Sequence, residues 1–269
     1  MLFALKYFLK YPFHHIRTPE ARELLGLMAK FGTVPRYQPR TVSFQGVTFL
    51  VPDCMSFLFQ HEEIFVGQSY RFQSSTDSPV ILDCGANIGT SCLFFKKLYP
   101  KANITAFEAD PQIAKILKNN LTSNGIQGVN IVDKAVWVHD QGIEFVTEGS
   151  DGASIYGEGE KQRIESVRLK EYLQKYPSIQ MLKMDIEGAE VEVFQDCADS
   201  IGHIDHIFIE YHSFPNRPQD LDVLLSILTK NGFRYFIRDA QDRPVPFINH
   251  AYKANPSMDL QLNIFAVKK

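Results

Sequence analysis

The chain has 269 residues, of which 45% are hydrophobic and 22% charged, and its formal net charge is -3. That balance excludes a disordered chain and leaves no basic footprint for nucleic acid. The length suits one large α/β domain, or a domain plus a cap, with a substantial core. Four cysteines, Cys54, Cys84, Cys92 and Cys197, form no C-x-x-C pair, so reduced, mostly buried thiols and a cytoplasmic location are expected.

Met1 to Phe13 is aromatic and apolar with Lys6 and Lys10 interspersed, followed by His14, His15 and Arg17. The run is too short and too charged for a transmembrane segment, and no small-residue cleavage site follows. A helical cap is the preferred reading; a weak peripheral membrane contact through an amphipathic helix is the alternative. The adjacent His14 and His15 lack the i, i+4 spacing of a helical metal pair. Thr18 to Lys30 reads as a helix, with Pro19 and Glu20 in its first turn and Leu24, Leu25, Leu27 and Met28 on its apolar face. Thr41 to Val51 alternates in two halves around Gln45-Gly46, which predicts a β-hairpin. Residues 55–73 read as helix and loop. The polar turn Ser74 to Pro79 is the best boundary, dividing an N-terminal cap (residues 1–75) from a main domain (residues 76–269).

Val80 to Cys84 predicts a buried parallel strand, and the glycine turn after it feeds a helix opened by Thr90 and Ser91. Such a turn collects amide donors at a helix N-terminus and suits an anionic or polar ligand group. A dinucleotide fingerprint would place glycine where Asn87 and Thr90 stand, so that match fails at two of three positions. The pattern Asp83-x-Gly85-x-Asn87-x-Gly89 instead resembles the first motif of class I S-adenosylmethionine-dependent methyltransferases. An acid at the strand end suits an ammonium group. Cofactor contacts are therefore expected from Asp83, Gly85, Ala86, Asn87, Gly89, Thr90 and Ser91.

Asn103 to Phe107 predicts a second strand ending at Glu108, placed where nucleotide folds set a carboxylate on the ribose hydroxyls, with Ala109 beside it. Pro111 starts a helix that Asn124-Gly125 ends. Val129 to Val132 predicts a third strand, and Asp133, Lys134 and Ala135 at its end would flank an adenine. Val136 to Gly149 and Glu165 to Leu169 read as further strand material around a polar stretch at residues 149–160, and a short helix begins at Val167. Ile179 to Met184 is another buried strand. It ends at Asp185, with Glu187 and Glu190 just beyond, and three acids so close are costly unless cations or hydrogen bonds compensate. Ile204 to His212 predicts a fifth strand, with Glu210 and His212 at its exit. A helix follows over Leu221 to Asn231, and two final strands over Phe233 to Arg238 and Leu260 to Val267 enclose a proline-containing loop at residues 244–256.

Asp83-Cys-Gly-Ala-Asn-Ile-Gly, Phe107-Glu108 and Lys183-Met-Asp-Ile-Glu-Gly-Ala-Glu190 together resemble the FkbM family of S-adenosylmethionine-dependent methyltransferases, over about residues 60 to 269. The resemblance implies a Rossmann-like α/β fold with a mostly parallel seven-stranded sheet and an antiparallel C-terminal hairpin edge. It also implies O-methylation of a sugar, glycan or other secondary-metabolite hydroxyl. In-line methyl transfer needs a positioned acceptor and a proton acceptor. His212, with an ordinary pKa near ~6.5, is the best single candidate; Asp185, which also borders the cofactor, and Glu187 follow. The same three side chains are a donor set for a divalent cation, but a strand-end acid beside a histidine is common by chance, and no metal is assigned. An NAD(P)-dependent oxidoreductase and a non-catalytic cofactor- or glycan-binding module are the competing readings.

Overall fold

In the computed structural model, residues 18–146, 161–239, 245, 247–248 and 258–269 are described. The expectations for residues 1–17, for the polar stretch at 149–160 and for most of the loop at 244–256 lie outside them.

The N-terminal part is built by strong local signals. Helix α1 (Pro19–Phe31) starts at Thr18, whose hydroxyl accepts from the Ala21 amide at 3.2 Å. Its stripe of Leu24, Leu27, Met28 and Phe31 is buried. Strands β1 (Arg40–Phe44) and β2 (Val47–Val51) pair antiparallel. Gln45 and Gly46 between them both have positive φ, at 50° and 83°, the backbone that a two-residue hairpin turn requires. Helix α2 (Cys54–His61) is capped by Asp53, which accepts from the amides of Met55 and Ser56, and runs on into one π-helical turn, Glu62–Val66. Glu23 ties these pieces together. It accepts from His61 Nε2 at 2.9 Å and from the Gln45 amide at 2.7 Å. Burial pushes its carboxyl up, but these bonds outweigh that and hold it at about 2.

Apart from two runs of strands, the fifth to the ninth and the last two, the remaining elements alternate strand and helix. They are β3 (Val80–Cys84), α3 (Thr90–Leu98), β4 (Asn103–Phe107), α4 (Pro111–Ser123), β5 (Val129–Val132), β6 (Ala135–Trp137), β7 (Ile143–Val146), β8 (Lys161–Ile164), β9 (Ser166–Arg168), α5 (Leu169–Leu173), β10 (Ile179–Met184), α6 (Glu190–Asp196), β11 (Ile204–Ser213), α7 (Leu221–Lys230), β12 (Phe233–Asp239) and β13 (Leu260–Lys268). Seven strands form one sheet in the order β12-β13-β11-β10-β3-β4-β5. Pairing from β11 through β10, β3 and β4 to β5 is parallel, whereas β13 lies antiparallel between β11 and β12. This is the sheet that the sequence resemblance implied.

Because side chains alternate along a strand, the sheet divides the core in two. Ile81, Ile104, Ala106, Met181 and Phe208 face a cluster that includes the α1 and α2 stripes and Phe95 of α3. Leu82, Phe107, Leu182, Met184 and Ile209 face the other, with Leu169 of α5, Phe194 of α6 and Leu228 of α7. All six residues of β10 are buried, as expected of a central parallel strand; each buried Leu or Ile contributes roughly 2 kcal/mol of transfer free energy.

The short helix α5 starts at Leu169 rather than at Val167, because Val167 is held in parallel register with Val136 between β6 and β9. All four cysteines are free and buried. Among the described residues no helix is long and apolar enough to cross a membrane.

Candidate active site

The carboxyl ends of β3, β4, β10 and β11 meet at one side of the sheet, and the site residues sit on the turns that leave them. After β3 the chain turns at Gly85, with φ of 82°. A Cβ there would lie 1.8 Å from the Asp185 carbonyl oxygen, so only glycine allows the β3 and β10 tips to approach this closely. The Gly85 and Ala86 amides both donate to the Phe107 carbonyl, at 3.0 and 2.9 Å, which pins the turn to β4. Asn87, with φ of 46°, donates its amide to Glu108 Oε2 at 2.9 Å. Its own Oδ1 accepts from Ile88. Gly89 donates to the Ala86 carbonyl.

The amides from Gly85 to Gly89 all donate within the protein, whereas those of Thr90 and Ser91, in the first turn of α3, have no preceding helical carbonyl to reach. Side chains are committed too. The Thr90 hydroxyl donates to Gln60 of α2. Ser91 donates to Asp83 Oδ2 at 2.6 Å. Asp83 is fully buried, and its Oδ1 has no hydrogen-bond partner, with Lys183 Nζ at 3.8 Å.

Glu108 accepts from the Asn87 and Asp110 amides, each at 2.9 Å. Burial dominates its titration and pushes it up to about 7 despite those bonds. Asp133 is exposed, Lys134 is paired with Glu165 at 2.6 Å, and Ala135 is buried in a small cluster with Ile143 and Ile164 against which Ala109 packs. The structure thus joins Asn87 to Glu108 directly, ties Gly85 to the neighbouring Phe107, and holds Lys134 in a surface ion pair.

The opposite flank is charged. Lys183, fully buried, donates to the Gly85 carbonyl at 2.6 Å and to Asp185 Oδ2 at 3.2 Å. Burial works against its charge, but Asp185 and Asp83 outweigh that and raise it above the ordinary lysine range. Beyond Asp185, Glu187 sits at a positive φ of 56°. Glu190 folds back over this turn. Its carboxylate accepts from the Ile186 and Gly188 amides and from His212 Nδ1 at 3.1 Å. His212 Nε2 then faces Glu187 Oε2 at 3.7 Å and Glu210 Oε1 at 3.9 Å. Burial alone would lower the imidazole. Glu187, Glu190 and Glu210 outweigh it and lift it well above the ordinary value expected from the sequence.

Sequence reasoning brought out Asp185, Glu187 and His212, and the structure places donor atoms of all three within 4.8 Å of one another. It named Glu190 and Glu210 without a role and missed Glu63. Glu63, on the π-helical turn, receives a bond from Asn263 of β13 at 2.8 Å. Burial and Asp185 push Glu63 up to about 7. Glu210 is raised by burial and by Asp185. Lys183 and Glu190 belong to the run Lys183 to Glu190, and their spacing was the signal available for them. Nothing in the sequence places Glu63 beside β13.

Comparison with known proteins bears on what this arrangement does. Residues 83–235 match the family described as the methyltransferase FkbM domain. The chain is 26% identical over 179 residues to Methyltransferase 1 of Beauveria bassiana (strain ARSEF 2860), covering 56% of this chain and 72% of that protein. It is 29% identical over 174 residues to Methyltransferase sdnD of Sordaria araneosa, covering 51% and 67%. It is 25% identical over 155 residues to 2-O-methyltransferase NoeI of Sinorhizobium fredii (strain NBRC 101917 / NGR234), covering 49% and 63%.

Proposed function

The chain belongs to the FkbM methyltransferase family, and on that premise we propose that it transfers the methyl group of S-adenosylmethionine to a hydroxyl oxygen of a small-molecule or glycan acceptor. The single observation that carries this reading is the meeting of two flanks at adjacent strand tips. The turn from Gly85 to Ser91, tied to Glu108, abuts the Asp185–Glu187–His212 cluster through the Gly85–Asp185 contact. The name of one relative, a 2-O-methyltransferase, supports an oxygen acceptor.

The residues present fit such a cofactor. Asp83 Oδ1 is a buried acceptor without a donor, which an ammonium group supplies. The open amides of Thr90 and Ser91 suit a carboxylate. Glu108 would accept from the ribose hydroxyls, and Ala109 with Asp133, Lys134 and Ala135 would border the adenine. When bound, the cofactor supplies an electrophilic methyl on a positive sulfur. Asp185 and Glu187 hold the acceptor hydroxyl, and His212 in its neutral form takes the proton, the Glu190 carboxylate stabilising the imidazolium that results. Because its neighbours raise His212, turnover climbs with pH above the ordinary histidine value. Residues 18–75 act as a cap on this domain: Asn120 of α4 and Asn124 at its C-cap bond to the β2 backbone, and Gln60 reaches Thr90.

The test is donor turnover against a panel of sugar and glycan acceptors, with the product's methyl position read by mass spectrometry and NMR. We expect methyl on oxygen. His212→Gln should cut turnover by about 100-fold with donor affinity unchanged. Thermal protection by a nicotinamide dinucleotide, with none by the methyl donor, would remove the reading.

A further inference from the structure

The crevice gathers carboxylates around few partners: Asp185 lies 3.2 Å from Lys183, and Glu190, Glu187 and Glu210 present oxygens 3.1, 3.7 and 3.9 Å from the His212 ring nitrogens. Lys183 is already engaged by Asp185 and the Gly85 carbonyl.

His212 is aimed into this charge. Its side chain is 1% exposed, and the nearest carboxylate oxygens stand 3.7 and 3.9 Å from Nε2, too far for a hydrogen bond. The ring cannot turn away, because Nδ1 is fixed on Glu190, itself held by two backbone amides. A carboxylate on one imidazole nitrogen is how proteins orient the other toward a metal. Glu187 Oε2 and His212 Nε2 stand 3.7 Å apart, against ~3 Å for adjacent ligands of an octahedral ion, so binding would draw the half-exposed Glu187 carboxylate inward.

We infer that Asp185, Glu187 and His212 together bind one divalent cation of the Mg²⁺ or Mn²⁺ class. Two carboxylates and one imidazole, with no thiolate in the set, favour that class over softer ions. An ion held by three protein atoms keeps positions for water or for an acceptor oxygen. The inference rests on the functional reading to the extent that this oxygen is the methyl acceptor; an ion on His212 Nε2 would acidify the hydroxyl in place of the imidazole, so His212 acts as the proton acceptor in the metal-free protein alone.

The experiment titrates Mn²⁺ into the purified full chain without methyl donor and reads free Mn²⁺ by electron paramagnetic resonance. One saturable site per chain is expected, displaced by Mg²⁺ and weakened at least tenfold in Glu187→Gln and in His212→Gln. Glu171→Gln, on the exposed surface of α5, should leave it unchanged. Circular dichroism melting selects the variants that fold, and the half-exposed Glu187 is the safer of the two sites. Absence of a saturable site, or one that both variants leave intact, overturns the inference. Donor binding is measured on the same samples in EDTA. Donor binding without a Mn²⁺ site sinks the metal alone, whereas a Mn²⁺ site without donor binding sinks the methyltransferase reading.

Discussion

The glycine turn at residues 83–91 and the acid–histidine flank at residues 185–212 face the same crevice but are assembled from different material. The first is backbone: amides donating to Phe107 and Glu108, glycine φ values, one buried carboxylate. Its parts lie within one strand–helix–strand unit. The second is side chains gathered from the β10 turn, β11, β13 and the π-helical turn, and its titrations are displaced because burial and like charges act together. A site made of backbone is fixed by local geometry, whereas a site made of buried charge depends on every element that packs around it.

The contact between the flanks is the place to break that contrast. Gly85→Ala forces a Cβ against the Asp185 carbonyl at a φ of 82°. It should cost about 3 kcal/mol or more and abolish donor binding, read by thermal melting and by calorimetric titration. A folded Gly85→Ala protein with full donor affinity would mean that the flanks are independent.

Glu190→Gln tests the charged flank alone. Turnover should fall on the order of 10- to 100-fold with donor affinity within about twofold. Because one of the acids that raise His212 is gone, the limb of the pH–rate profile should move down in pH. A merely structural Glu190 would lower stability without moving that limb.

The smallest effect sharpens the backbone flank. Glu108 is pushed up to about 7 by burial, so between pH 8 and pH 6 it gains a proton and accepts more weakly from ribose hydroxyls. Donor affinity should drop roughly three- to tenfold over that range. In Glu108→Gln the dependence should vanish, which calorimetry at several pH values checks.

The same contrast governs what was legible in the sequence. The apolar runs Val80 to Leu82 and Ile179 to Leu182, the helix starts at Thr18 and Pro111 and the Gln45-Gly46 turn each act over a few residues, and each element formed where its pattern placed it. Gly85, Asn87 and Glu108 were legible because a strand, a turn and the next strand fix their distances. The fate of the turn's amides was not, since Phe107 and Glu108 accept them through tertiary contact. Nor was the state of His212: residue type suggested an ordinary imidazole, and only packing brings Glu190 to Nδ1 and Glu210 within 3.9 Å of Nε2. Glu63 and Asn263, 200 positions apart, meet through the sheet order alone.

The most direct measurement is a crystal structure of the protein with S-adenosylhomocysteine. The account predicts ribose hydroxyls on Glu108, the amino-acid end at Asp83 and the first turn of α3, and sulfur facing Asp185 and His212. Density for the ligand elsewhere, or protein side chains filling the space between Gly85 and Glu108, would contradict it.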